Sequence, residues 1–158
     1  MMDGDAPRVE VRPALLDCEP LLTAMLPDYL RELGVGVSDY PYLALYWVEA
    51  DRYPYLLLAD GRVAGFALVR NLDLPERFEM AEFYVIPALR RRGVGRSAVR
   101  ALFARHPGEW ALSVLASNPR ALAFWLSLVP RGTLPRLVDE PGQWPHLRLS
   151  FRVAPAAG

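Results

Sequence analysis

The stretch Phe83-Tyr-Val-Ile-Pro-Ala-Leu-Arg-Arg-Arg-Gly-Val-Gly-Arg96 decides the reading of this chain. An apolar strand ends at Pro87, three consecutive arginines fill a turn, and two glycines one residue apart open the helix expected over Val94 to Arg105. Glycines at the mouth of a helix leave backbone N–H groups uncovered, and the helix dipole adds partial positive charge, so the arrangement suits a phosphate-bearing anion. Arg90, Arg91, Arg92 and Arg96 add full charges at the same place. The bland alternative is a solvated basic turn whose glycines serve backbone geometry alone. An internal control is Gly34-Val-Gly36, which follows a helix, carries no arginine cluster and reads as a helix stop. The stretch has neither the Gly-x-x-x-x-Gly-Lys-Ser/Thr loop of nucleoside triphosphatases nor Gly-x-Gly-x-x-Gly spacing.

Working outward, Met80 to Ile86 reads as the strand that feeds this turn. Strict alternation would place Met80, Glu82, Tyr84 and Ile86 on one face and Glu79, Ala81, Phe83 and Val85 on the other, unless a bulge intervenes. Before it, Tyr55 to Ala59 and Arg62 to Arg70 flank Asp60-Gly61, a hairpin turn suited to positive φ, with Gly65 marking a bulge or a close backbone approach. A first strand holds Val9 and Val11. Leu22, Leu26, Tyr29, Leu30 and Leu33 then recur at helical spacing up to Gly34, with Pro27 expected to kink or split that helix. A second short helix is expected from Ser38 or Asp39 to about Val48. After the arginine turn come a helix, a strand from Trp110 to Leu115, a helix from Asn118-Pro119 to about Leu128, proline-rich loops from Pro130 to Pro145, and a last strand from His146 to Val153. The order predicts a mixed α/β (α+β) single domain over residues 1–158, core about 8–153, with six to seven mostly antiparallel strands and about four helices.

Composition bounds what such a domain does. The 158 residues are 53% hydrophobic, and 18 acids balance 18 basic residues, all of them arginine. The absence of lysine excludes Schiff-base chemistry by the chain itself. One cysteine, Cys18, excludes an internal disulfide framework and a cysteine-rich zinc site. Neutral overall charge argues against a nucleic-acid or membrane coat, and no apolar run is long enough to span a bilayer. The acidic, polar start MMDGDAPR is unlike a secretory signal. A soluble, cytoplasmic protein with no metal is the expectation. Neutrality hides polarity, because six arginines and no acid lie between Glu82 and Glu109 while the remainder is net acidic.

At these residues the chain resembles the GNAT superfamily of N-acetyltransferases, which use acetyl-CoA. The family signature Arg/Gln-x-x-Gly-x-Gly/Ala is met by Arg90-Arg91-Arg92-Gly93-Val94-Gly95, the preceding pattern by Phe83, Val85 and Pro87, and a downstream Asn with an aromatic pair by Asn118, Phe124 and Trp125. The resemblance implies that Val94, Gly95, Arg96 and the turn hold the CoA pyrophosphate. It implies too that splaying at Val85, beside Tyr84, exposes backbone to the pantetheine and the thioester, and that Asn118 meets the pantetheine or thiol. An amine of a small molecule or peptide, deprotonated by a general base, would then attack directly. Glu82, three residues before Val85, and Glu79, six before it, are the candidate bases, and a glutamate inside an apolar strand is costly unless it is paired, for Glu82 with Arg70 or Arg77 in the bland case. Trp125 stands where many members carry a tyrosine that protonates the thiolate, which motivates the alternative of a non-catalytic CoA-binding or protein-interaction module. Acceptor contacts are expected around Asp39, Tyr40, Tyr42, Tyr46, Trp47, Glu49 and Asp51, which otherwise read as core aromatics and solvated acids. His106 and His146 are expected away from the site. The acidic body suggests a cationic acceptor, and family analogy allows a homodimer.

Overall fold

The computed structural model describes residues 6–36 and 40–156. Among these described residues seven strands form one sheet: β1 (Val9–Pro13), β2 (Arg52–Ala59), β3 (Arg62–Asn71), β4 (Arg77–Val85), β5 (Gly108–Leu115), β6 (Arg136–Val138) and β7 (His146–Val153). Their spatial order is β1-β2-β3-β4-β5-β7-β6, and β4–β5 is the parallel pair in an otherwise antiparallel ladder. Helices α1 (Glu19–Leu33), α2 (Val94–Arg105) and α3 (Pro119–Leu126) cover the faces. On one face Val94, Ala98, Val99 and Leu102 of α2 and Trp125 of α3 pack on Val69, Met80, Leu112 and Leu149. On the other, Leu22, Leu26, Tyr29 and Leu30 of α1 pack on Leu56, Leu58, Phe66, Leu68 and Tyr84.

The mixed α/β expectation holds, with two local differences. Helix α1 continues through Pro27 rather than splitting there, because its apolar stripe is buried both before the proline, at Leu22 and Leu26, and after it, at Tyr29 and Leu30. Gly34, at φ 76°, ends it as expected. The expected second helix is a 3-10 segment, Leu43–Trp47, tied down by Trp47 Nε1, which donates to the Ala14 carbonyl at 3.0 Å. Ser38 and Asp39, its suggested start, lie outside the described residues.

Two irregularities shape the sheet where the site forms. In the β2–β3 hairpin the turn residues Asp60 and Gly61 have φ 50° and 77°, and the register slips between Leu57 and Leu58, leaving Ala64 as the extra residue. The adjoining Gly65 lies against β4 so closely that a Cβ there would sit 1.9 Å from the Tyr84 carbonyl oxygen. A second slip, between Leu68 and Val69, makes Ala81 of β4 the extra residue. Gly65→Ala is expected to destabilise the fold by about 3 kcal/mol, at the upper end of overpacking costs because backbone must move. Urea unfolding of the variant checks this, and a loss below about 1 kcal/mol would show that the strands separate easily.

Candidate active site

Strands β4 and β5 pair only from Arg77↔Glu109 to Met80↔Leu112. Beyond Met80 they diverge, and the gap begins at the Ala81 bulge. The Ile86 N–H donates to the Ala64 carbonyl at 2.8 Å, toward β3. Strand alternation therefore turns the backbone groups of Phe83 and Val85 the other way, into the gap. The splay expected at Val85 is present and starts earlier, four residues upstream.

The gap leads to the start of α2. Gly93 caps that helix at φ 81°, and a Cβ there would meet nothing within 4 Å. Arg91 also adopts a left-handed φ, 63°, so the turn alternates backbone hands ahead of the free N–H groups of Val94, Gly95 and Arg96. Gly95 is a close-approach glycine, whose Cβ would lie 3.2 Å from the Phe124 ring and 3.8 Å from Phe83. Arg91 and Arg92 make no ion pair among the described residues, and Arg96 reaches the Ser127 hydroxyl at 3.3 Å. Arg90 is placed differently from its neighbours. Its Nε donates to the Val85 carbonyl at 2.8 Å, its Nη2 pairs with Glu32 of α1 at 2.7 Å, and its guanidinium lies over the Tyr84 ring. It therefore braces the end of β4 against α1.

Asn118 caps α3, its Oδ1 accepting the Ala121 N–H at 3.1 Å, which leaves the amide nitrogen without a partner among the described residues. Phe124 stacks on Phe83 at 6.1 Å between centroids and floors the approach to Gly95. Trp125, 8% exposed, packs edge-on to Phe83 within the core. Tyr84 is core as well, against Tyr29 and Phe66.

The Ala81 bulge breaks the alternation read from the sequence. Met80 joins Val85 in the core under α2, while Ala81 and Tyr84 face α1. Glu82 stays on the α1 face, accepting a hydrogen bond from the Tyr29 hydroxyl, and Glu79 comes to share its surroundings. The ion pair suggested for Glu82 belongs to Glu79, which meets Arg70 at 3.4 Å and Arg148 at 3.6 Å. Arg77 pairs with Asp73 and Glu109. Burial pushes the Glu82 carboxyl up to about 7, the Tyr29 hydrogen bond holds it down and the Glu79 charge adds to the rise. Tyr40 and Tyr46 stand close enough to be raised in turn, first by burial, with the Glu82 charge contributing. Tyr42 is exposed and Trp47 is half-buried on the α1-side core. Glu49 pairs with Arg52 at 2.7 Å.

A cleft of about 410 Å³ opens at the end of β5, between Leu33 and Gly34 at the end of α1, Leu115-Ala116-Ser117, and Trp144-Pro145. His146 pairs with Leu115 across β5–β7, which puts it at this rim and nearer the gap than expected. His106 sits elsewhere, with Nε2 2.6 Å from the Tyr55 hydroxyl and its ring against Phe78. Sequence reasoning missed Tyr29, Glu32 and the cleft residue Trp144. A hydroxyl within an otherwise leucine stripe was the one signal available for Tyr29. Among the described residues no three His, Cys, Asp or Glu side chains are grouped to hold a metal ion.

Because the Tyr29 hydroxyl favours the charged carboxylate, Tyr29→Phe is expected to raise the Glu82 pKa above about 7. Carbon-13 NMR titration of the Glu82 carboxyl reads this directly, and an unchanged or lower value would remove Tyr29 from its control.

A family model described as the acetyltransferase (GNAT) family matches residues 22–128. A mycothiol acetyltransferase of Mycobacterium leprae is 43% identical over 130 residues, which cover 73% of this chain and 38% of that protein, so the chain spans well under half of that relative's length. Among solved structures, an acetyltransferase from Thermus thermophilus aligns with a TM-score of 0.71 at 20% identity, covering 93% of this chain and 98% of that one. The PaiA N-acetyltransferase of Thermoplasma acidophilum, in complex with coenzyme A, aligns with a TM-score of 0.67 at 13% identity, covering 92% and 99%. These distant structures share the fold. With the family model spanning more than half of its residues, around the splayed strands and the glycine-opened helix, the chain belongs to the acetyltransferase (GNAT) family.

Proposed function

We propose that the protein transfers an acetyl group from acetyl-CoA directly to an amine, with Glu82 as the general base. The observation that carries the assignment is the carboxyl of Glu82, held by the Tyr29 hydroxyl beside the gap that opens between β4 and β5. Acetyl-CoA supplies the thioester. The residues at the gap fit such a donor, because backbone groups of Phe83 and Val85 face it, Gly93 leaves open space at the helix entrance and Gly95 lets Phe124 pack beneath that entrance. In this reading Val94, Gly95 and Arg96 present N–H groups to the pyrophosphate, and Arg91 and Arg92 supply charge. The Val85 N–H meets negative charge developing on the carbonyl oxygen, and the Asn118 amide contacts the pantetheine arm. Arg90 keeps the Val85 carbonyl occupied, so the strand end presents a donor.

Glu82 takes the proton from the ammonium of the acceptor, and a carboxyl near 7 does this at neutral pH without holding the proton too tightly. Glu79 is less suited, because two arginines already engage it. Trp125 is buried and its indole N–H is a very poor acid, so the thiolate leaves without a proton from that position, and the second proton of the amine nitrogen passes to the thiolate or to water as the tetrahedral intermediate collapses to the amide. A reducing, cytoplasmic setting is part of the proposal, supported by the single cysteine. Among the described residues no helix is long and apolar enough to cross a membrane.

Two outcomes are expected. Gly93→Asn and Gly93→Asp both tolerate positive φ and differ in charge, so acetyl-CoA should raise the melting temperature of the first and scarcely that of the second. Equal shifts would remove the pyrophosphate from the α2 entrance. Glu82→Gln should lower kcat by about 100-fold or more with little change in acetyl-CoA affinity, and should abolish the acidic limb of the kcat/KM profile near pH 7. A retained limb would assign the base elsewhere.

A further inference from the structure

We infer that the acceptor amine carries a carboxylate, which Arg148 and Arg70 bind on the α1-side face of the sheet. The inference rests on the acetyl-transfer reading and names the substrate class for that site. Residues directly opposite in an antiparallel ladder share a face, so Ser113, Arg148 and Arg136 form one row across β5, β7 and β6. The next row holds Glu79, Ala111 and Ser150. The floor between Glu82 and the arginines is thus built of small side chains, Ala81, Ala111 and Ser113, with Ser113 open to solvent.

Charge on this face is out of balance. Arg70 and Arg148 converge on one carboxylate, Glu79, and Arg148 also points at the Ser113 hydroxyl at 3.4 Å. Arg136 lies directly opposite Arg148 and has no ion-pair partner among the described residues. Like charges directly opposite on paired strands destabilise a sheet, and a bound anion would offset that repulsion. A second observation lies at the Glu82 end of this face. The Tyr46 hydroxyl is buried, in a residue 3% exposed, and has no hydrogen-bond partner within 3.5 Å among the described residues; the Arg52 guanidinium over its ring acts on it most strongly, and Glu82 and then Arg70 act more weakly. A buried hydroxyl without a partner costs on the order of 1–3 kcal/mol, which a ligand oxygen accepting from it would recover.

The Arg148 side chain crosses β5 to reach Glu79 at 3.6 Å, which brings its guanidinium to the β4 side of the floor. The acceptor in this inference sets its amine at Glu82 and its acid at the arginines, across Ala81, Ala111 and Ser113. Neutralisation is coupled to the chemistry: when Glu82 takes the proton its negative charge disappears, and the acceptor's carboxylate keeps the arginine face compensated. The acidic body read from composition suggested a cationic acceptor, whereas the face beside Glu82 carries the opposite sign.

The test uses matched pairs, free L-amino acids and their carboxamides, as acceptors for the full chain. Wild type should prefer the acid member by ten- to hundredfold in kcat/KM, the scale of one charged hydrogen-bonded contact. Arg148→Gln should collapse that ratio toward one and Arg148→Lys should restore part of it. Arg136→Gln, at the solvent-exposed edge, provides a milder variant should Arg148→Gln fold poorly, and should lower the ratio by a smaller factor. Calorimetric binding of the N-acetylated products to the CoA-loaded protein gives the same ratio without turnover. The inference is therefore decided even if no amine is acetylated, a result that would count against the catalytic reading alone. No preference for acids in either measurement, or a preference that survives Arg148→Gln, would overturn it.

Discussion

The departure of β4 from β5 after Met80↔Leu112 is the constraint on which the rest of this structure depends. A parallel pair that stops after four residues leaves backbone donors and acceptors without a strand partner inside a sheet, a cost that a fold bears only where something else uses them. The Ala81 bulge initiates the departure, and three contacts hold it open. Gly65 lets β3 press against Tyr84 from the far side, Arg90 grips the Val85 carbonyl, and Glu32 anchors Arg90 to α1. The same bulge turns Met80 into the α2-side core and keeps Glu82 on the α1 face. One extra residue therefore sets both the gap and the position of the proposed base.

Glu82 is where the fold gives up stability. Its carboxyl stands at about 7 in the folded chain against 4.5 for a free side chain, with burial as the main cause. A group raised in this way holds its proton in the native state between those values, so its contribution to stability declines as pH rises from about 4.5 through 7. Above that window the folded state carries a penalty of roughly 3 kcal/mol relative to a solvated carboxylate. Tyr29 limits the penalty by donating to the charged form. A neutral isostere would relieve it altogether, so retaining a glutamate there makes sense for a group that exchanges protons.

Much of this was legible from local chemistry. Asp60-Gly61 with its flanking apolar runs dictated the hairpin, Pro87 and Gly93 bracketed the turn, and the start of α2 at Val94 coincides with its expected position. What escaped was non-local. Pro27 would break an isolated helix, but the sheet buries the stripe on both sides of it. The Ala81 bulge is a matter of register with β3, and no residue in β4 announces it. Arg90 looks the same as Arg91 and Arg92 in sequence and differs because α1 brings Glu32 to it. His146 looked remote because the β5–β7 pairing that places it at the cleft joins segments some thirty residues apart. The Tyr29–Glu82 contact spans 53 positions and becomes visible only once α1 lies across the sheet.

Neutral net charge takes on a different meaning once the charges are placed. At the α2 entrance Arg91 adopts a left-handed conformation that costs a non-glycine residue on the order of 1 kcal/mol, and among the described residues no side-chain hydrogen bond of its own offsets that cost. What the strained turn gains is a helix entrance with no side-chain cap, whose free N–H groups suit an anion. The second cationic region, Arg70 with Arg148 and Arg136, owes nothing to backbone strain and arises from register, which stacks arginines opposite one another across β7 and β6. Two positive regions built by different means lie on either side of the same gap, one facing α2 and one facing α1. A reaction between a polyanionic donor and an acceptor requires the two to approach without mutual repulsion. An acid-bearing acceptor can meet that requirement only if its charge is held apart from the donor phosphates, and the sheet itself provides that separation.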